Sequence, residues 1–283
     1  MSWSRFKFYC NEVSRLLERG EEIIPAFESA KNSVLSKEFG PELKPHEIQA
    51  SILSSLKNDG YTAYEVKEAL RIYDGLDVSG LLHKPSGIRR VGVYIGYLSV
   101  MYFVLSGFYF VYVVPETVSM FEAMGVSVPK NFIWFFDNWA AILMIVASSL
   151  VGVLLAGKKV NEMFEYKKGI ENSIIYRVVI PKKIKLKYEK LVSLVNLPLC
   201  VVKNKNDGVN DHIIQYYCAE KYSATEVSGS LSILMNEAVN ELVCRSESYM
   251  RRIYVVVAAL IIFSIYEFVS SVYAPLFVMG EVI

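Results

Sequence analysis

Three stretches almost free of charge limit what this chain can fold into. Val91 to Val114 carries no charge and is rich in Val, Tyr, Leu and Phe. Trp139 to Ala156 is shorter and equally clean, and Ile253 to Val272 is broken only by Glu267. At about 1.5 Å per residue each reaches roughly the 30 Å of a bilayer core. A backbone in hydrocarbon must satisfy its own polar groups, so runs of this length are expected to be transmembrane helices. The fold class expected is an all-α integral membrane protein with three transmembrane helices and two small cytoplasmic helical bundles related by duplication.

The flanks give an orientation. Arg89 and Arg90 precede the first span, Lys158 and Lys159 follow the second, and Arg251 and Arg252 precede the third. The turn between the first two spans holds only Lys130, and no basic residue follows the third. By the positive-inside rule, residues 1–88 form a cytoplasmic helical domain and 158–252 a second one. Residues 89–157 form a transmembrane hairpin with an outer turn over 115–134, and 253–283 form a third span with a tail across the membrane. Trp134, Phe135, Phe136 and Trp139 are expected as an aromatic belt at the outer face. The opening residues MSWSRFKFYCNEV have no apolar core, so no signal peptide is expected there.

The formal net charge of +1 hides a division. The second soluble region is basic, through Lys182, Lys183, Lys185, Lys187, Lys190, Lys203 and Lys205, and attraction to anionic lipid head groups is the reading preferred. No interleaved aromatic platform for bases accompanies these lysines, so nucleic acid is not an expected partner. Cys10, Cys200, Cys218 and Cys244 lack paired spacing and read as reduced, mostly packed thiols.

The two soluble regions echo one another. SILSSLKNDGYTAYEVKEAL, from Ser51, matches HIIQYYCAEKYSATEVSGSL, from His212. Thr62 and Ser223 are expected N-caps, with Glu65 and Glu226 three residues on to close capping boxes. Tyr61 and Tyr222 precede the caps, opposite Val66 and Val227, as hydrophobic staples require. Box, staple and upstream apolar helix together favour duplication. In the first region Phe8, Val13, Leu16 and Leu17 form an apolar stripe that stops at Gly20, and Ile23, Ile24 and Phe27 resume it. Ile48, Ile52, Leu53 and Leu56 form another, ended by Gly60, and Val66, Ala69 and Leu70 a third. Leu76 to Ile88 is punctuated by Gly, Pro and Ser and reads as a linker. Ile174 to Ile180, closed by Pro181, reads as an irregular lead-in.

The order of helical domain, span, short outer turn, span, helical domain, span resembles the type II secretion F family, the inner-membrane platform proteins of type IV pilus and type II secretion machines. The turn VPETVSMFEAMGVSVPKNFIW, Val114 to Trp134, is similar to that family's hairpin tip, with Pro115 ending a helix, Gly125 permitting reversal and Pro129 preceding the next. Leu16 to Phe27 (LLERGEEIIPAF) and Tyr273 to Phe277 (YAPLF) resemble its opening and its end. The first soluble domain is shorter than the family's, and Leu191 to Asp207 lacks its leucine–glycine pattern. The resemblance implies a non-enzymatic platform whose partners are a cytoplasmic assembly ATPase, pilin or pseudopilin subunits and other inner-membrane assembly proteins, with self-association. No cofactor is implied.

Catalytic motifs are not evident in the sequence, and His46, His83 and His212 are scattered. Glu267 is the first candidate site, because an ionised carboxylate inside a span costs about a few kcal/mol unless paired or protonated. On the resemblance it would offer a counter-charge to the free ammonium of a pilin's apolar helix. The alternative is a glutamate bonded to Ser264, Ser270 or Ser271 that only holds helices together. Asp137 is expected in solvent near the outer end of the second span. Glu18, Arg19, Glu21 and Glu22 cluster at a helix junction; the resemblance implies ATPase contact, and a plain solvated face is the alternative. A small transporter subunit is a rival from another class, though three spans with one acid provide little to line a path. A membrane sensor is a second rival, and its outer turn is too short to hold a ligand.

Overall fold

The computed structural model describes residues 2–40, 42–58, 60–82, 88–203 and 224–282. Among them every regular element is helical and no sheet forms; the pairing of Glu47 with Lys167 is an isolated bridge. Three helical stretches are long and apolar enough to cross a membrane: Val91–Met124, Trp139–Phe164 and Ala224–Val278. The chain divides into two compact units, Met1–Pro85 with Lys159–Ser246, and Ser86–Lys158 with Glu247–Ile283.

In the first unit, α1 (Ser2–Glu18), α2 (Ile23–Asn32), α3 (Leu35–Glu38), α4 (Ile48–Asn58) and α5 (Ala63–Gly75) are followed, after the chain returns, by α10 (Ile174–Val179) and α11 (Lys182–Lys203). The last helix, Ala224–Val282, contributes its first part here. The buried stripe of α1 is Trp3, Phe6, Cys10, Val13 and Leu16, a spacing of three and four that faces α5. Phe8 and Leu17, expected in that stripe, are only half-buried, and Phe8 stacks on Phe39 at 4.7 Å instead. Ile24 is exposed, because the helix restarting at Ile23 turns Ala26, Phe27 and Ala30 inward.

Gly20 ends α1 with φ 88°, its N–H donating to the Leu17 carbonyl while the Glu21 N–H reaches Leu16, the paired bonds of a Schellman motif. Thr62 caps α5 as its sequence requires. Its hydroxyl accepts from the Glu65 N–H, and its own N–H donates to the Glu65 carboxylate at 2.7 Å. The matching cap, Ser223 with Tyr222, lies outside the described residues, as do His83, His212, Cys218 and Lys205.

Met1–Pro85 and Lys159–Ser246 form one compact unit, where two separate bundles were expected. Buried Ile184, Tyr188, Leu191, Leu194 and Val195 line α11, which packs on α5 and α4, and the buried Tyr73 hydroxyl of α5 donates to the Val195 carbonyl. Each region alone exposes an apolar helix face, and joining them removes both from water. The stretch after α5 lies along the last helix: the Asp77 N–H donates to the Ser232 hydroxyl at 3.0 Å, and Gly75 and Gly80 pass Ser228 and Asn236 with no room for a Cβ. The segment from Ile174, read as irregular, is helical as far as Val179; Ile180 and Pro181 only end it.

In the second unit α6 (Ile88–Phe108) runs through a single π turn, Tyr109–Val113, into α7 (Val114–Met124). Pro115 therefore does not end the helix. The Val114 N–H donates to Tyr109, five residues back, and this wider turn passes the ring that would otherwise meet the carbonyl of Val111. Gly125, at φ 67°, ends it, with the Val126 N–H on Phe121 and its own on Glu122. Pro129 stands at the start of α8 (Lys130–Asp137), and α9 (Trp139–Phe164) follows after Asn138. The last helix continues through Pro275 to Val282, past the expected end of the third span.

Candidate functional site

The second unit contains an aromatic cluster built on α8. Phe132, Phe135 and Phe136 occupy positions i, i+3 and i+4 of α8 and are buried, while Ile133 and Trp134 on the other face are exposed. Of the four rings expected as an outer belt, Phe135 and Phe136 thus turn inward. Trp139 is half-buried, stacked on Phe110 at 4.4 Å with the planes 4° apart. Phe268 of the last helix meets this cluster edge-on at Tyr109, 5.6 Å between centroids, and contacts Phe135 at 6.0 Å. On α6, Ser99 and Ser106 are buried and turn their hydroxyls back to the carbonyls of Ile95 and Phe103.

Glu267 is the residue beside Phe268, and it is half-buried. Its carboxylate has no hydrogen-bond or ion-pair partner among the described residues. The serines weighed as its partners point elsewhere. Ser264 donates to the Leu260 carbonyl at 2.9 Å, Ser271 to Asn131 at 3.5 Å, and Ser270 is exposed. Phe268 is committed to the aromatic cluster, which fixes the rotation of the last helix at this level and so the direction of Glu267 about it. The site offers one carboxylate, next in sequence to a ring of the aromatic cluster. A carboxylate there can oppose a cation.

In the first unit Glu18, Arg19, Glu21 and Glu22 gather around the Gly20 turn, and all four are exposed. They are not equivalent. Glu18 bridges Arg71 at 2.8 Å and Lys67 at 3.3 Å, which ties α1 to α5. The Arg71 guanidinium first, and then Lys67, hold its carboxyl below the ordinary glutamate range. Glu22 stands before α2 without a side-chain cap bond, and its carbonyl accepts from the Ala26 N–H. Arg19, Glu21 and Glu22 form the exposed remainder of the cluster. Pro115, Gly125 and Pro129 all belong to the second unit, where Gly125 and Pro129 bound the reversal. Asp137 is exposed at the end of α8.

A cavity of about 300 Å³ opens in the first unit between Tyr9, Phe27 and Leu53, with Glu28 and Lys57 paired at 3.2 Å in its lining. Its charges are matched, and it holds neither a nucleophile with a base nor a cluster of metal ligands. Among the described residues no group of three His, Cys, Asp or Glu could hold a metal ion. Cys10 is buried in the α1–α5 packing and burial pushes its thiol up, whereas Cys244 is exposed. The aromatic cluster was missed from sequence, although the inward spacing of Phe132, Phe135 and Phe136 in KNFIWFFD carried its signal. No family model matches the chain, and neither a curated protein nor a solved structure matches it.

Proposed function

We propose that this chain is an integral inner-membrane platform protein of a bacterial type IV pilus, coupling a cytoplasmic assembly ATPase to extraction of pilin subunits from the membrane into the fibre. The corresponding platform of a type II secretion system is the near alternative. The reading rests on the resemblance in segment order and hairpin tip. One structural observation supports it: Met1–Pro85 and Lys159–Ser246 join in a single helical unit, while three apolar helices supply membrane anchorage. A shared core makes a stiff body, and a stiff body can transmit the motion of an ATPase, whereas two loosely tethered bundles would absorb it.

In this reading the helical unit is cytoplasmic, the hairpin tip and C-terminus lie across the membrane, and Arg19, Glu21 and Glu22 belong to a face that the ATPase grips. Glu267, without a partner among the described residues, serves as counter-charge to the ammonium at the head of an apolar pilin helix. Several copies, together with other inner-membrane assembly proteins, complete the platform.

Deletion of the gene, scored for surface fibres, secreted proteins and mature pilin retained in the membrane, tests the reading, with the intact chain as complement. Lost fibres with mature pilin accumulating in the membrane are expected. Glu267→Gln and Glu267→Leu should then reduce fibre number at normal protein level. Unchanged fibres and unchanged secretion in the deletion would reject the platform reading.

A further inference from the structure

The short helix α10 is built with its apolar face outward. Ile174 and Val178, one turn apart, are 77% and 79% exposed, and Leu186 of α11 is 63% exposed. Fraying does not account for this. Tyr176 is the buried anchor of α10, the Lys185 ammonium lies over its ring at 5.4 Å, and the same ammonium donates to the Arg177 carbonyl at 2.7 Å. The Arg177 guanidinium in turn donates to the Glu171 carbonyl at 3.2 Å. The helix is thus clamped to the first turn of α11 with its aliphatic side chains in the open.

Cations border these side chains. Arg177, Lys182 and Lys183 are exposed, and neither ammonium of Lys182 or Lys183 has a partner among the described residues. Between residues 171 and 190 the only acids are Glu171 and Glu189, against six basic residues. Among the described residues Lys187, paired with Glu241 at 2.6 Å, is the one of these cations spent on a carboxylate.

We propose that α10 and the first turns of α11 form an interfacial docking surface for anionic phospholipid head groups, with Ile174, Val178 and Leu186 entering the boundary between head groups and acyl chains. Exposed aliphatic side chains close in sequence to the free ammonium groups of Lys182 and Lys183 and to the exposed Arg177 suit that boundary, where the apolar part leaves water and the cations meet phosphate. A second copy of the chain fits less well. A stable dimer buries about 800 Å² and 20–30 residues on each partner, and three aliphatic side chains with a like-charged rim fall short of that. Weak affinity suffices here, because a chain anchored by apolar helices meets the lipid surface at high effective concentration. The inference rests on membrane residence and not on the pilus reading.

The test places a nitroxide at Val178→Cys in the full chain, with Cys200, Cys218 and Cys244 replaced by serine and buried Cys10 retained. The chain is reconstituted in phosphatidylcholine vesicles with or without phosphatidylglycerol. With the anionic lipid, the label should become more accessible to molecular oxygen than to a water-soluble nickel chelate, and in pure phosphatidylcholine the order should reverse. Lys182→Glu with Lys183→Glu should restore the aqueous order in anionic vesicles. A label at Tyr64→Cys, on an exposed position of α5, should stay aqueous throughout. An aqueous label in both vesicles, or equal insertion in both, overturns the proposal. Spin–spin broadening at position 178 that follows protein density would assign the face to a second copy and overturn it as well.

Discussion

The buried Tyr73 hydroxyl donates a 2.9 Å hydrogen bond to the carbonyl of Val195, 122 residues away in sequence. It is a direct polar tie between the two stretches of the first unit, Met1–Pro85 and Lys159–Ser246. Tyr73→Phe keeps the ring and its edge-on contact with Phe6 but removes the donor. The expected loss is about 1 kcal/mol, the net value of one buried bond. Tyr73→Ala also empties the space of the ring and should cost about 3–5 kcal/mol. Buried Cys10 reports both. With the other three cysteines replaced by serine, a maleimide dye reacts only as this core opens, so the temperature of dye uptake should fall slightly for Phe and steeply for Ala. Equal midpoints for Tyr73→Phe and the parent would show that the bond contributes nothing.

Tyr166 ends α9 in the left-handed conformation, φ 52°, where glycine is the usual residue. Its side chain supplies the reason. The ring is buried edge-on against Trp3 at 5.4 Å, and its carbonyl accepts from the Ile48 N–H at 2.9 Å. The ring contact compensates a backbone strain of about 1–2 kcal/mol. Substitution to Gly or to Ala loses the ring in both cases, yet only Ala keeps the strain. Tyr166→Gly should therefore be the more stable of the two by about 1 kcal/mol, the reverse of their order in a helix interior. Dye uptake at Cys10 measures the difference, and a more stable Ala variant would mean that the turn relaxes when the ring is gone.

Gly75 is limited by space. A Cβ built on it would lie 2.6 Å from the Ser228 hydroxyl and 2.9 Å from the Ser228 Cβ, so something must shift. Gly75→Ala should cost about 1–3 kcal/mol, as overpacking does. Ser228→Gly removes the obstructing atoms, and in that background the alanine should cost less by most of this amount. A double-mutant cycle on the same thermal assay measures the coupling. Additive effects would place the cost of alanine in the backbone and not in this contact.

What could be read from the sequence was local. The Thr62–Glu65 box and the stop at Gly20 follow from residues within one turn of each other, and both are present. The apolar helices were equally plain, since a long uncharged run has few other fates. What escaped needs a partner distant in the chain. Trp3 and Phe6 precede the stripe expected on α1, and the Tyr166 and Tyr73 rings that meet them edge-on lie far away in the sequence. Phe135 and Phe136 looked like an interfacial belt because composition does not say which face of α8 meets Phe268. Glu267 was identified by its charge alone; that its neighbouring serines bond elsewhere is a matter of side-chain direction, which sequence does not carry.

Pro115 and Gly125 make the last contrast. Proline is the stronger helix breaker in general, but here the π turn Tyr109–Val113 carries the helix past Pro115, and Gly125 stops it ten residues later. A Cβ on Gly125 would meet nothing within 4 Å, so alanine there incurs the left-handed backbone strain alone, about 1 kcal/mol. Asparagine tolerates that conformation better and should cost less. Pro115→Ala regains a backbone donor and favours the helix that is already formed, so it should not destabilise the second unit. The emission of Trp134 and Trp139 during denaturation by sodium dodecyl sulfate, with Trp3→Phe as background, follows that unit. The expected order of stability is Pro115→Ala at or above the parent, then Gly125→Asn, then Gly125→Ala. If Pro115→Ala is the most damaging of the three, the proline, and not the glycine, sets the shape of the hairpin.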